Sequence, residues 1–342
     1  MHKKIYLSVI LGILFFVSCK DKKQYYEESG TVFHTLYTIK YEAPHILTDK
    51  IDAELQKFNL SLNPFNPNSI IAKVNNNEAV EVDEWFTEVF NKSMEVSRNS
   101  DGVFDITCAP LVNLWGFGFN KKDSVTPTMI DSLKTFVGYQ KVHLEGKKIV
   151  KDDPRLLLNC SAIAKGYSCD VIARLLEKEG VENYMVLIGG EVVVKGVNQN
   201  GVCWRTGINL PEDDPDGIKN NYDEIVQLCK KGAIATSGNY RNFYIKDGKK
   251  YAHTINPRTG YPAEQSVLSA TIVANDCMTA DAYATAFMAM GLEKARQMAD
   301  TLPEIEYYVI YADESGKHQI EFSKGMLQYL PKRKTMINSD NS

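Results

Sequence analysis

The chain has 342 residues, 44% of them hydrophobic and 24% charged, which is the composition of a globular protein with one or two domains and a core of its own. Lys and Arg number 39 against 43 Asp and Glu, and the resulting net charge of −4 argues against a nucleic-acid-binding protein. The only long apolar run is at the N-terminus, which excludes a protein with several membrane spans.

The first residues have the pattern of an export signal. Lys3 and Lys4 precede an apolar stretch at 5–17 that is too short to span a membrane. A small residue and Cys19 follow, as at a bacterial lipoprotein cleavage site. We expect residues 1–18 to be a lipoprotein signal peptide and Cys19 to carry a lipid. That lipid would hold the chain on a membrane of the bacterial cell envelope, with its body facing the periplasm. The alternative is an ordinary secretory signal with a chance cysteine.

The first half of the chain mixes predicted strands and helices. A polar segment at 19–29 is interpreted as a tether. Beyond it, hydrophobic periodicity predicts the folded elements of this half. They are strands at 31–41, 142–150 and 155–158, and helices at 51–58, 85–98 and 163–179.

The second half continues this mixture. Strands and helices do not alternate regularly, which favours an α+β fold for residues 30–331 over a doubly wound fold. The polar tail at 332–342 is expected to be loose. The predicted elements are strands at 184–194, 202–210, 268–274 and 307–311, an acidic loop at 211–224, a hairpin of 242–246 and 250–254 around Asp247-Gly248, and helices at 280–290 and 292–301.

The cysteines form no metal-binding motif. No two of them make a C-x-x-C pair, and no cluster has the spacing of zinc ligands. Apart from Cys19, we interpret them as buried small hydrophobic residues rather than as a disulfide framework. Disulfides in an exported chain stay open as the alternative, and their pairing cannot be read from the sequence. These cysteines are Cys108, Cys160, Cys169, Cys203, Cys229 and Cys277.

Two predicted helices carry residues suited to phosphate and metal binding. Ser161 is a candidate N-cap for the helix at 163–179, and free N–H groups at a helix start, with Lys165 beside them, attract phosphate. Asp281 and Thr285 are four residues apart, so they share one helix face, and their oxygens suit Mg²⁺. The alternatives are a capped helix with a solvated lysine, and an aspartate favoured by the helix dipole with a packed threonine.

His253 and several aromatic residues are further candidates. His253 ends a predicted strand just before a Pro/Gly turn, where a base is well placed to take a proton. The alternative is a structural histidine bonded to a backbone carbonyl. Phe104, Trp115 and Phe117 lie among glycines, where they would either hold a planar ring or belong to the core. P-loop, dinucleotide-binding, zinc-protease and nucleophile-elbow motifs are absent from the sequence.

Taken together, these segments resemble the ApbE family, the FAD:protein FMN transferases. The resemblance covers about residues 29–312, and its motifs occur in the family's order. Where family members often have Met-Gly-Thr in the first strand, this chain has Phe33-His34-Thr35. The motifs are Ser-Asp-Gly-Val-Phe-Asp-Ile-Thr at 100–107, Trp-Gly-Phe-Gly at 115–118, Ser-Ala-Ile-Ala-Lys-Gly-Tyr at 161–167, Ile-Gly-Gly-Glu at 188–191, Ala-Thr-Ser-Gly at 235–238, His253 with Pro-Arg-Thr-Gly at 257–260, and Ala-Asp-Ala-Tyr-Ala-Thr at 280–285.

The resemblance implies a mixed, largely antiparallel sheet flanked by helices. It also implies FAD as substrate and Mg²⁺ as cofactor, with the FAD diphosphate near the start of the helix at 163–179. The Mg²⁺ ligands would be Asp281, Thr285 and the backbone carbonyl of Ala162. The FAD contacts carried over by motif position are Phe33, Phe65, Val103, Phe104, Asp105, Asn159, Lys165 and Ile255.

The implied reaction moves the FMN part of FAD to a Thr or Ser hydroxyl of an acceptor protein and releases AMP, with His253 as the base. The implied acceptors are exported flavoprotein subunits, such as those of Na⁺-translocating NADH:quinone reductase or related electron-transfer complexes. Two alternatives stay open. One is a Mg²⁺-dependent FAD pyrophosphatase that yields FMN and AMP, and the other is a non-catalytic, membrane-tethered flavin-binding lipoprotein.

Overall fold

The computed structural model describes residues 23–118, 125–212, 221–240, 243–246, 249–263 and 266–331. The predicted signal peptide, Cys19, the Asp247-Gly248 turn and the tail at 332–342 lie outside these residues. The strands are β1 (Gln24–Val32), β2 (Thr35–Ala43), β3 (Val142–Glu145), β4 (Lys148–Lys151), β5 (Tyr184–Ile188), β6 (Glu191–Lys195), β7 (Trp204–Asn209), β8 (Tyr222–Leu228), β9 (Gly232–Gly238), β10 (Phe243–Lys246), β11 (Lys249–Ala252), β12 (Val267–Ala274), β13 (Ile305–Ala312) and β14 (His318–Phe322). The helices are α1 (Thr48–Leu62), α2 (Ile70–Asn75), α3 (Glu84–Asn99), α4 (Ala109–Leu114), α5 (Pro127–Lys134), α6 (Ala164–Lys178), α7 (Cys277–Met290) and α8 (Leu292–Ala299).

An eight-stranded sheet forms the centre of the fold. Its order is β1-β2-β5-β6-β9-β12-β13-β14, and each neighbouring pair is antiparallel. Two-stranded ribbons are formed by β3 with β4, β7 with β8, and β10 with β11. The antiparallel sheet and its flanking helices confirm the predicted α+β class.

Both faces of the sheet are covered, as the side chains of β6 demonstrate. Val193 packs into a core that includes residues of α1 and α6. Val192 and Val194 point to the opposite face, because side chains alternate along a strand, and they pack against the β7–β8 ribbon. A third core contains residues of α3, α7 and β12. Helices α6 and α7 pack against each other on one face of the sheet, and this pair carries the candidate site.

Several predicted strands are hairpins in the structure. The first turns at Phe33 and His34, between the paired residues Val32 and Thr35. Both turn residues have positive φ, 51° and 60°, as a type I′ turn requires. A turn of this kind normally carries Asn or Gly. Because neither residue is present, the sequence pattern predicts one continuous strand instead of two. The corrected predictions are the single strands at 31–41, 142–150 and 184–194.

The predicted tether at 19–29 is also corrected. Strand β1 begins at Gln24 and pairs with β2 along its whole length. Its polar composition suggested a tether, but Glu28 is buried and accepts a hydrogen bond from the hydroxyl of Tyr41. The predicted strand at 155–158 is wrong as well. These residues form only an isolated β-bridge, between Leu157 and Cys108, in the described part of the chain.

The long helices confirm their predictions, with bounds that differ by a few residues. Helix α7 begins three residues before its predicted start because Asp276 caps it by accepting a hydrogen bond from the Thr279 N–H at 2.8 Å. The sequence did not predict α2, α4, α5, β8, β9 or β14, and the predicted acidic loop at 211–224 is wrong at its end, where β8 begins at Tyr222. Within the described ranges, no helix is both long and apolar enough to cross a membrane.

The cysteines divide into two groups. Cys203 and Cys229 form a disulfide with a Cα–Cα distance of 4.5 Å, so interpreting these two as buried thiols is wrong. They join the start of β7 to the end of β8, and only the fold brings them together. Cys160, Cys169 and Cys277 are buried free thiols, as predicted, and Cys108 is half-buried.

Candidate functional site

The start of α6 differs from the predicted capped helix. The residue at the N-cap position is Ile163, which makes no capping hydrogen bond through its side chain. Ser161 is therefore not the cap, and it is exposed. Its N–H instead donates to Oδ1 of Asn159 at 2.9 Å, an Asx-type turn that leads the chain into the helix. The first N–H groups of α6 thus have no capping side chain of their own.

Helix α7 provides a partner for one of these N–H groups. The N–H of Gly166 donates to Oδ2 of Asp281 at 2.9 Å. In a regular helix that N–H would pair with the carbonyl of Ala162. The Ala162 carbonyl accepts no backbone hydrogen bond among the described residues. The contact therefore joins α7 to the start of α6 and leaves a backbone oxygen free beside it.

The two helices approach closely because position 166 is a glycine. A Cβ atom there would lie 2.2 Å from the carbonyl oxygen of Cys277 and 2.7 Å from Cβ of Asp281. Asp170, one turn further along α6, accepts hydrogen bonds from the N–H groups of Cys277 and Met278, each at 2.8 Å. Asp170 thereby caps α7 from the neighbouring helix, and burial raises its pKa to about 7.

Asp281 and Thr285 lie on one face of α7, as predicted. Asp281 is buried, with 3% of its surface exposed, and its Oδ1 accepts no hydrogen bond among the described residues. Thr285 is half-buried, and its hydroxyl lies 3.2 Å from the hydroxyl of Ser237 on β9. Burial raises the pKa of Asp281, whereas Lys165 and the Gly166 N–H oppose the shift.

These residues fit Mg²⁺ by their chemistry. In the part of the chain that the structure describes, no group of three or more His, Cys, Asp or Glu side chains could hold a metal ion. The predicted set is of another kind, with a carboxylate on Asp281, a hydroxyl on Thr285 and a free backbone carbonyl on Ala162. Hard oxygens of this kind are what Mg²⁺ takes, together with waters and substrate phosphates.

Lys165 lies between two carboxylates. Its ammonium pairs with Oε1 of Glu191, the first residue of β6, and it also interacts electrostatically with Asp281. Burial alone would lower the pKa of Lys165, but the two carboxylates raise it above its usual value. Burial raises the pKa of Glu191 to about 7, against the opposing effect of Lys165. The lysine side chain is 35% exposed, so its charge remains available to a ligand.

The loop at 103–107 lies next to Asn159 but buries its side chains. The N–H of Asn159 donates to the carbonyl of Ile106 at 2.7 Å. Val103, Phe104 and Asp105 are all buried, and Asp105 accepts N–H groups from Thr107 and Tyr139. Burial raises the pKa of Asp105. Of the rings considered for a planar ligand, Phe104 and Trp115 lie in hydrophobic cores, as the alternative interpretation expects. Phe104 stays a predicted FAD contact.

The β1–β2 turn brings two more predicted contacts towards this region. Phe33 packs on Phe58, with ring centroids 5.1 Å apart, and His34 contacts the ring of Phe65 at 5.9 Å. Phe65 is 53% exposed. Thr35 follows the turn, and a Cβ placed on Gly189 would lie 3.2 Å from its methyl group and 2.9 Å from Cδ of Lys165. The turn therefore lies beside Lys165.

His253 directly follows β11 and is half-buried. Its ring meets that of Phe117 edge-on at 6.4 Å. The next residue, Thr254, donates a hydrogen bond to the Asn239 side chain at 3.2 Å, and Asn239 follows the end of β9, the strand of Ser237. Strand β9 thus connects the His253 segment to Thr285. The side chain of Ile255 is buried in the core around Trp115.

Some residues of the site were not assigned a role from the sequence. Gly166 and Glu191 stood inside quoted motifs, but nothing in their spacing shows that one donates to Asp281 and the other pairs with Lys165. Asp170 lies in a helical pattern where an acidic residue reads as solvent-exposed. The one sequence signal for a role of Asp170 is that it lies on the apolar face of α6, where a charged residue is rare unless it is paired.

The chain is similar to known proteins of one family. The model of the ApbE family matches residues 33–309. The FAD:protein FMN transferase of Vibrio cholerae is 35% identical over 323 residues, which cover 91% of this chain and 95% of the relative. The enzyme of the same name from Escherichia coli K12 is 32% identical, with 85% and 88% covered.

Solved structures show the same fold. The flavin transferase ApbE from Vibrio cholerae superposes with a TM-score of 0.81 at 34% sequence identity, covering 90% of this chain and 100% of that one. The ApbE protein of Thermotoga maritima gives a TM-score of 0.78 at 28% identity, covering 90% and 99%. The match of the family model over most of the chain and the similarity of these relatives lead to one conclusion: this chain belongs to the ApbE family.

Proposed function

We propose that this chain is an enzyme that transfers the FMN part of FAD to an acceptor protein and releases AMP. The relatives compared above carry the name of this activity. The observation that supports it most directly is the hydrogen bond from Gly166 to Asp281, which joins a metal-binding carboxylate to a phosphate-binding helix start. The FAD diphosphate needs both kinds of group.

In this proposal the diphosphate binds at the start of α6. The positive end of the α6 dipole and the Lys165 ammonium would offset its negative charge. Asp281, Thr285 and the Ala162 carbonyl would hold Mg²⁺. When bound, that ion would supply positive charge at the oxygens of the P–O–P linkage.

The nucleophile is a Thr or Ser hydroxyl of the acceptor. His253 takes its proton, the hydroxyl oxygen forms a bond to the FMN phosphorus, and the P–O bond to AMP breaks. The FMN then stays on the acceptor as a phosphoester. Because the chain contributes no covalent intermediate, its residues act by binding and orienting the two reactants.

The location and partners complete the proposal. Cys19 would carry a lipid and hold the enzyme on an envelope membrane, with its body in the periplasm. The acceptors would be exported flavoprotein subunits, such as those of Na⁺-translocating NADH:quinone reductase or related electron-transfer complexes. The N-terminal signal and the acidic charge of the chain support this location, since an acidic body would rely on the lipid for anchoring.

One experiment separates this function from its alternatives. The purified full chain is incubated with FAD, Mg²⁺ and a candidate acceptor subunit, with and without a chelator. AMP release together with a fluorescent acceptor band, both lost with the chelator, is the expected result. AMP release without acceptor labelling would identify a pyrophosphatase that uses water. Neither product, with FAD still bound, would identify a binding protein and overturn the proposal.

A further inference from the structure

Glu191 has a carboxylate whose surroundings the fold alone does not explain. The residue is 3% exposed and begins β6, among strand residues buried in the core. Its Oε1 pairs with Lys165, while its Oε2 is buried without a hydrogen-bond partner among the described residues. Buried polar atoms are nearly always hydrogen-bonded, and buried charges are favoured only when fully paired. A half-paired buried carboxylate therefore points to a role in the site.

The path of the Lys165 side chain is confined beside this carboxylate. A Cβ atom on Gly189 would lie 2.9 Å from Cδ of Lys165, 3.1 Å from Oε2 of Glu191 and 3.2 Å from the methyl group of Thr35. The lysine stem thus passes through a slot that only a glycine at 189 leaves open. Gly189 has a φ of 68°, which an L side chain rarely adopts. The slot directs the ammonium towards Glu191.

Lys165 has a second carboxylate within electrostatic reach, that of Asp281. Asp281 uses Oδ2 for the Gly166 N–H, and its Oδ1 accepts no hydrogen bond in the described chain. An ammonium paired with that open oxygen would compete with a metal ion for it. In the structure the ammonium pairs with Glu191 instead.

We propose that Glu191 is a positioning residue that holds the Lys165 ammonium away from Asp281 and so keeps Asp281 available to a divalent cation. This inference rests on the proposed metal site, which it deepens. It explains why a carboxylate is kept in the core beside a lysine that faces the ligand. The proposal also explains the slot at Gly189, because the slot and Glu191 together hold the Lys165 side chain in one orientation.

The test measures Mn²⁺ binding to the full chain without FAD, by electron paramagnetic resonance of the free ion. Glu191→Asp keeps the charge but shortens the side chain by one methylene, so the ammonium is released and turns to Asp281. We expect this variant to bind Mn²⁺ about tenfold more weakly than wild type, the effect typical of residues that orient metal ligands. The double variant Lys165→Met with Glu191→Asp has no competing ammonium, and its binding should return towards the wild-type value.

Two controls make the outcome specific. Glu177→Asp shortens another Glu–Lys pair, with Lys231 at 2.8 Å on the surface, and should leave Mn²⁺ binding unchanged. Lys165→Met alone should bind Mn²⁺ at least as well as wild type, which tests the competition without altering Glu191. Circular dichroism and melting temperature verify the fold of each variant.

The results also show whether a failure concerns the role of Glu191 or the proposed metal site on which that role depends. A wild-type chain that binds no Mn²⁺ would overturn the metal assignment and the inference with it. Wild-type binding that Glu191→Asp leaves unchanged would overturn the inference alone. Weak binding that persists in the double variant would do the same, since it would mean that Glu191 acts on the fold and not on the lysine.

Discussion

The N–H of Gly166 and Oδ2 of Asp281 lie 2.9 Å apart, on two helices that begin more than a hundred residues apart in the sequence. This bond holds the face of α7 that carries the proposed metal site at the start of α6. The alignment depends on the absence of a side chain at 166.

Gly166→Ala should separate α6 from α7. The added Cβ meets a backbone carbonyl at 2.2 Å, which cannot move as a flexible side chain would. We expect the free energy of unfolding to fall by about 1–3 kcal/mol and FMN transfer to be lost. Gly232→Ala is the matched control, because its Cβ would have neighbours no closer than 3.7 Å and should be tolerated. Equal stability of the two variants in urea unfolding would contradict the prediction.

Asp281→Asn should abolish turnover and leave the chain folded. The amide can still accept the Gly166 N–H, but it lacks the charge that would hold Mg²⁺ in the proposed site. We expect AMP release to fall by about a thousandfold or more, since a bound metal contributes several kcal/mol to transition-state stabilisation. AMP is quantified by chromatography, with the melting temperature as the control for folding. Wild-type AMP release from this variant would remove Asp281 from the proposed metal site.

His253→Gln should slow the transfer step without weakening FAD binding. Loss of a general base lowers the rate by about a hundred- to ten-thousandfold, while the KM for FAD should stay close to that of wild type. His143, an exposed histidine on β3, provides the control His143→Gln, which should have no effect. A raised KM with an unchanged kcat would instead make His253 a binding residue.

Asp170 should make stability depend on pH. Its pKa is about 7 in the folded chain and about 3.9 in an unfolded one. Between these values the folded chain holds a proton that the unfolded chain has lost. Its contribution to the free energy of unfolding therefore decreases as pH rises from about 4 to about 7, by at most about 4 kcal/mol, and is level above that.

The measurement compares urea unfolding of wild type and Asp170→Asn across this range. The stability of wild type relative to the variant should decline with rising pH and then become constant. A difference that is flat, or that grows with pH, would show that Asp170 is charged in the folded chain throughout.

The β1–β2 turn should gain stability from a glycine. His34 has a φ of 60°, a left-handed conformation that costs a residue other than glycine about 1 kcal/mol or more. We expect His34→Gly to raise the free energy of unfolding by a few tenths to about 1 kcal/mol, reduced by the loss of the contact with Phe65. Thr38→Gly, in the ordinary strand conformation of β2, should lower it. Destabilisation by both variants would refute the prediction.

The sequence predicted best what depends on local periodicity. The apolar spacing of α6 located that helix, and the interval from Asp281 to Thr285 placed both residues on one face of α7. The fold class also followed, because strands and helices did not alternate. The FAD contacts and the lipid at Cys19 stay predictions.

The sequence could not predict contacts between residues that are far apart along the chain. The hydrogen bond from Gly166 to Asp281 and the pairing of Lys165 with Glu191 join residues whose proximity only the packed helices and sheet create. The turn at Phe33 and His34 was not predicted for a different reason. Neither residue is Asn or Gly, which usually mark a turn of this type in a sequence. The sequence pattern thus predicted which residues share one helix face, whereas the structure was needed to show which residues of different elements contact each other.

The disulfide between Cys203 and Cys229 has a practical consequence for handling the protein. Any single cut of the backbone between these residues, for example by a protease acting in the acidic segment, leaves the two fragments covalently linked. Such nicked material would migrate as an intact chain in a non-reducing gel and separate only after a reductant is added. Preparations should therefore be judged for integrity under reducing conditions.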